Sequence, residues 1–229
     1  MMNKQQGVSL VEMLITIVVS SIIFAGMFVS YNMISGSSSG ITARANVNKN
    51  SRLALDMIQQ DIALAGYTNL SRGGKILPTP IITITDNSDK PDEISIVRHE
   101  WKNSEIKTVR ISYQIKSVSS NFLAKQKEIY DDTTATWSID ADKGGYAFEK
   151  VVDNFYDLQF VMRDLNRNKI SDLDLINSID IHAVFISDSV TKNTQNFYFV
   201  NDNHTLTISE KVMAEKFLLT VNLQNMVLR

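Results

Sequence analysis

Residues 13–34 are almost all apolar or small, and no charged residue occurs between Glu12 and Arg44. At ~1.5 Å per helical residue such a run spans a ~30 Å hydrocarbon core, so the pattern predicts a membrane helix. The hexapeptide at 35–40, Ser-Gly-Ser-Ser-Ser-Gly, is poor helix sequence and reads as a linker or a locally melted segment. Helical periodicity resumes at Ile41. Leu55, Ile58, Ile62 and Ala65 recur at i, i+3, i+7 and i+10, which makes one apolar stripe for packing on a sheet. Asp56, Gln59, Gln60 and Asp61 are read as lying largely off it, and Gly66 as the stop.

Beyond Tyr67 the pattern turns to strands, expected at 81–85, 93–97, 106–115, 179–186, 197–200, 205–208 and 218–223. Residues 117–150 lack a clear period and read as an irregular inserted loop. Short sequential strands with tight turns favour an antiparallel sheet. The fold class expected is α+β: a long N-terminal helix whose outer half packs on that sheet.

Composition adds little except by exclusion. The 229 residues carry a formal charge of −2 and no cysteine, which removes disulfides, thiolate metal sites and cysteine catalysis. No basic cluster argues for a nucleic-acid partner. The N-terminus sets the compartment. Residues 1–7 are polar with one cation, Lys4, which favours a cytoplasmic N-terminus and places the remainder outside. A secretory signal would instead be cut at small residues after its apolar run; the stretch 35–40 is the only approximation to such a site.

Glu12 is the odd residue. A carboxylate at the bilayer centre costs ~2.5–3.5 kcal/mol, so an acid at the head of such a helix asks for a partner. The alternative places it at headgroup level, favoured by the helix dipole.

The run Gly7-Val8-Ser9-Leu10-Val11-Glu12-Met13-Leu14-Ile15 resembles the leader signal of type IV prepilins and pseudopilins. The resemblance implies cleavage after Gly7 by a membrane prepilin peptidase, N-methylation of Val8, and retention of Glu12 as the filament-assembly acid. Val8 departs from the phenylalanine usual in that family. Physically, cleavage exposes an amine at Val8, and parallel stacking of helices can bring that amine to a neighbour's Glu12, so that two isolated charges become a pair. Ser20, Ser21 and Gly26 offer close helix–helix contacts.

Arg52, Asp61 and Ala65-Gly66-Tyr67 resemble the PilW type of minor pilin. J-type pseudopilins of type II secretion share the Arg and Asp but usually not the Ala-Gly-Tyr. The closing stretch 216–225 is weakly similar to the family's last strand, with Gln224 where an arginine is usual. What these resemblances imply is a non-enzymatic minor pilin, initiating or capping a type IV pilus. Its partners would be other minor and major pilins, the prepilin peptidase, the inner-membrane assembly machinery and membrane lipid. The implied division is a leader at 1–7, a transmembrane and assembly helix at 8–34, a linker and amphipathic half-helix at 35–66, and an exported β-rich domain at 67–229, first periplasmic and then in the filament. A J-type pseudopilin, and a membrane-anchored exported binding module or enzyme, are the alternatives.

One loop resembles a calcium site. Asp164, Asn166, Asn168 and Asp172 supply oxygens at positions 1, 3, 5 and 9. Lys169 replaces the glycine of position 6, Leu175 replaces the glutamate of position 12, and Arg167 and Lys169 oppose a cation. A solvated polar loop is the competing reading, and no cofactor is otherwise expected. His99, His182 and His204 lack ligand spacing, and no nucleophile-elbow, zincin or phosphate-loop motif is present.

Overall fold

The computed structural model describes residues 9–69, 76–87, 90–117, 120–140, 148–172, 175–190, 195–198, 205–208 and 212–223. Helix α1 runs Leu10–Ala63. It is helical straight through 35–40, where the sequence suggests a linker or a melted segment. There Ser39 Oγ donates to the Gly36 carbonyl (2.9 Å) and Thr42 Oγ1 to that of Ser38 (3.0 Å), so these hydroxyls bond back onto the preceding turn of the helix. The chain divides into two compact units, 1–43 and 44–229.

In the second unit the apolar stripe behaves as its spacing requires. Ala54, Ile58 and Ile62 are fully buried, and Leu55 and Ala65 nearly so. Asp56, Gln59 and Gln60 are exposed, whereas Asp61 is buried. The reason is helical geometry: Ala54, Ile58, Asp61 and Ala65 (i, i+4, i+7, i+11) form a second row on the same face. After Ala63 the chain leaves the helix through Gly66, whose φ of 73° lies in the left-handed region open to glycine. The Gly66 amide then donates to the Val97 carbonyl, 3.0 Å away.

Eleven strands follow among the described residues: β1 Ile82–Thr85, β2 Glu93–Lys102, β3 Glu105–Ser117, β4 Asn121–Asp131, β5 Thr136–Ile139, β6 Glu149–Asp153, β7 Phe155–Arg163, β8 Ser178–Val190, β9 Gln195–Tyr198, β10 Thr205–Ile208 and β11 Val212–Asn222. Every pairing is antiparallel. A six-stranded sheet has the order β1-β2-β3-β4-β5, with β6 also on β4; a three-stranded sheet has the order β11-β8-β7; β9 and β10 pair as a hairpin. The segment read as an irregular insertion therefore holds β4 and β5. Its alternation is hidden because the helix-facing positions of β4 include Lys125 and Lys127 rather than apolar residues.

One residue, Asn154 (φ 62°), separates β6 from β7 and turns the chain from the larger sheet into the smaller. Its amide donates to the Asn121 carbonyl (2.9 Å), and its carbonyl accepts from Ile186 N (3.0 Å). A second tie is Asp92, buried between the sheets. Its amide donates to the Leu158 carbonyl (2.7 Å), and its carboxylate accepts from Phe160 N (2.9 Å) and Asn87 N (3.1 Å). A single apolar cluster joins α1, both sheets and the chain end, with Ile58, Ile96, Tyr113, Leu123, Phe155, Ile181 and Val221 among its members.

Candidate functional site

The described residues of the first unit form one helical stretch, from Leu10 onward. Every large apolar side chain from Leu10 to Ile34 is at least 49% exposed, and the segment is long and apolar enough to cross a membrane. Its hydroxyls are turned inward: Thr16, Ser20 and Ser30 donate to carbonyls four residues back, and Ser21 to one three back, at 2.6–2.9 Å. Such polar side chains are satisfied without water, as an apolar medium requires.

At the helix start, Ser9 is the cap and Glu12 sits three residues on. The Ser9 amide donates to Glu12 Oε2 at 3.0 Å, and the Ser9 carbonyl accepts from Met13 N at 3.1 Å. This is half of a capping box, in which the carboxylate satisfies an orphan donor at the positive end of the helix dipole. Sequence reasoning found Glu12 but not this local partner, although the Ser-x-x-Glu spacing signals it. Gly7 and Val8 lie outside the described residues.

In the second unit the unforeseen feature is the surroundings of Asp61. Its Oδ1 is 2.9 Å from Arg98, and its Oδ2 is 2.8 Å from Lys125 Nζ and accepts the Tyr113 hydroxyl at 2.5 Å. The partners come from β2, β3 and β4, so one helical carboxylate fastens α1 to three adjacent strands. Burial, reinforced by the Asp61 carboxylate, holds the Tyr113 phenol well above its ordinary pKa. The charged face continues past the helix: Lys127 pairs with Glu100 at 2.8 Å, and Lys102 with Asp140 at 2.5 Å. A cavity of about 320 Å³ opens there, bordered by Met57, Arg98, Lys125, Lys127 and Asp140. Arg52 is exposed, so the sequence pair Arg52 and Asp61 does not form one site.

The loop resembling a calcium site closes on itself. Asp164 Oδ1 accepts from the amides of Asn166 and Asn168, each at 2.8 Å, and Oδ2 accepts from Asn168 Nδ2 at 3.1 Å. Those bonds, the Asn168 side chain first, hold the Asp164 carboxyl below its usual pKa. The structure thus joins Asp164, Asn166 and Asn168, while the Asp172 carbonyl accepts from Leu175 N at 3.4 Å. Among the described residues no group of three or more His, Cys, Asp or Glu is placed to hold a metal.

Of the histidines, His99 is buried on β2, where its Nδ1 accepts from Asn69 N at 3.0 Å. His182 is buried on β8, its pKa lowered by burial and by Lys216. Beside it, burial would raise the Asp180 carboxyl, but the Thr220 hydroxyl (2.6 Å) and the Arg163 guanidinium hold it below the ordinary value. His204 lies outside the described residues.

Residues 2–28 match the prokaryotic N-terminal methylation motif. The chain carries a type IV pilin-type prepilin signal. The matched segment covers all but Met1 of the expected leader, Glu12 and most of the exposed apolar run. It indicates a pilin- or pseudopilin-like structural protein, a substrate of prepilin peptidase that assembles with other pilins. The motif and the apolar helix are consistent with membrane anchoring and incorporation into a pilus. No curated protein and no solved structure matches the chain.

Proposed function

We propose that the chain is a minor pilin of the PilW type that initiates or caps a type IV pilus. In this reading prepilin peptidase cuts after Gly7 in the cytoplasmic membrane and methylates Val8. α1 holds the subunit in the bilayer with the β-rich domain in the periplasm, and Glu12 sets register by meeting a neighbour's amine. The supporting observation is Glu12 in the first turn of α1, at the head of the exposed apolar run from Leu10 to Ile34 and inside the methylation motif.

The physical argument is one of exchange. Before assembly the Glu12 carboxylate has a neutral partner, the Ser9 amide. A cationic amine from a neighbouring subunit forms a charge-assisted bond roughly twice as strong as a neutral one. Assembly therefore improves the partner of a charge that is already at the helix end. The Arg52, Asp61 and Ala65-Gly66-Tyr67 set supports the PilW type over other pilin classes.

Mass spectrometry of the protein from cells tests the reading. A mature N-terminus at Val8 bearing one methyl group is expected. An intact Met1 on functional protein overturns it.

A further inference from the structure

We propose that the cleft between the β2–β3 and β4–β5 hairpins is a binding site for a neutral saccharide. The cleft arises from strand register. β2 and β3 pair as far as Lys102 and Glu105, and β4 and β5 as far as Asp131 and Thr136. The β3–β4 ladder, by contrast, runs outward only to Val109 and Ile129. Beyond that rung the two hairpins part and enclose an open groove of about 570 Å³, within the ~300–1,000 Å³ usual for small-ligand clefts.

The lining selects the ligand. Trp101 stands at the groove with 56% of its surface exposed, an unusual place for the residue with the largest apolar area. Tyr130, on the opposite hairpin, is held against Trp137 at 4.9 Å between ring centroids, and the Arg110 guanidinium lies 4.6 Å from the Trp137 ring centre. Two aromatic side chains, one of them braced from behind, thus border a groove that is otherwise polar. A flat ring with an apolar C–H face and polar edges suits such a setting.

The polar groups narrow the choice. Among the described lining residues Glu105, Asp131 and Asp132 outnumber the cation Lys107, so phosphates, nucleic acid and sulfated chains are repelled. Lys107 is 2.8 Å from Glu105 and offsets it, while Asp131, which accepts from Thr133 N at 2.8 Å, and Asp132 keep the groove acidic, so a basic peptide is the rival occupant against which a saccharide is tested. Hydroxyls of Ser104 and Thr133 both donate and accept, and the carboxylates accept. A ligand whose own hydroxyls do both completes that set; a lipid tail completes none of it.

The test uses the full chain in a zwitterionic, sugar-free detergent. In a Trp137→Phe background Trp101 is the remaining tryptophan, and its fluorescence is followed while cellotriose, maltotriose and chitotriose are added. A saturable change with at least one of them is expected. By calorimetry the same sugar should bind about tenfold more weakly, or not at all, to Trp101→Ala and to Asp131→Asn, both at exposed positions, with melting temperatures unchanged. The proposal is overturned if none of the three sugars binds, if binding is unaltered in both variants, or if an oligolysine peptide occupies the groove instead.

Discussion

The Tyr113 hydroxyl donates to Asp61 Oδ2 at 2.5 Å across 52 residues of sequence. This contact ties the middle of the sheet to α1. Arg98 and Lys125 lean on the same carboxylate, and their side chains are 13% and 19% exposed. Removing one partner of such a group leaves buried charge without compensation, at a cost of about 3–5 kcal/mol. Asp61→Ala should therefore lose about that much in urea unfolding. Tyr113→Phe removes one hydrogen bond and should cost about 1–3 kcal/mol. A loss below 1 kcal/mol for Asp61→Ala would show that the cluster contributes nothing beyond a surface pair.

Asp92 gives a pH dependence of known sign. Burial is the main cause that raises its carboxyl from 3.8 to about 6, against the pull of the Phe160 and Asn87 amides. The folded state then binds the proton more tightly than the unfolded one. Its stabilising contribution is full below about 3.8 and is lost as pH rises through about 6. A rise from 3.8 to about 6 corresponds to roughly 3 kcal/mol. Asp92→Asn should flatten this part of the profile, seen as a smaller fall in unfolding free energy between mildly acidic and neutral pH. An identical profile in both proteins would refute it.

Two roles of Glu12 can be separated. Glu12→Gln keeps an oxygen for the Ser9 amide but removes the charge, whereas Glu12→Ala removes both. If pairing with a neighbour's amine drives assembly, both variants should be processed normally and both should be depleted from sheared filaments. Normal incorporation of the Gln variant alone would assign Glu12 to capping.

Gly36 and Gly40 lie inside α1, and a Cβ added at either meets no atom within 4 Å. Among the described residues nothing requires glycine there. Each Gly→Ala change should stabilise the helix by about 1 kcal/mol. Slower amide exchange across residues 35–40 is the expected readout; unchanged exchange would mean that the segment is already at its most stable.

Asp164 spends its carboxylate on its own loop. Asp164→Ala should loosen the β7–β8 connection whether or not calcium is present, and calorimetric titration of the native chain with millimolar calcium should give no heat. A strong calcium-dependent rise in melting temperature, lost in Asp164→Ala, would reverse that assignment.

Much of the architecture was legible because burial and period agree. The stripe through Leu55, Ile58 and Ile62, the strand at 205–208 and the stop at Gly66 all follow from local rules. β4 was not legible. Its helix-facing positions carry Lys125 and Lys127, acceptable there only because Asp61, Glu100 and Asp140 arrive from distant parts of the chain. Asp61 was misplaced for the matching reason, since its counter-charges lie on strands. β7 was overlooked because the sheets bury both of its faces and erase its alternation. Helix through 35–40 was hidden because composition alone weighs against it.

The bonds that hold Asp92 to β7 have a consequence for how copies of this chain can join. The Leu158 carbonyl, the Phe160 amide and the Met162 carbonyl lie along one rim of that strand, and Asp92 and Ile170 already occupy them. A stray strand from another molecule would have to displace these bonds to extend the ladder there. Strand addition is opposed at these three groups, while the large apolar side chains of residues 10–34 stay exposed.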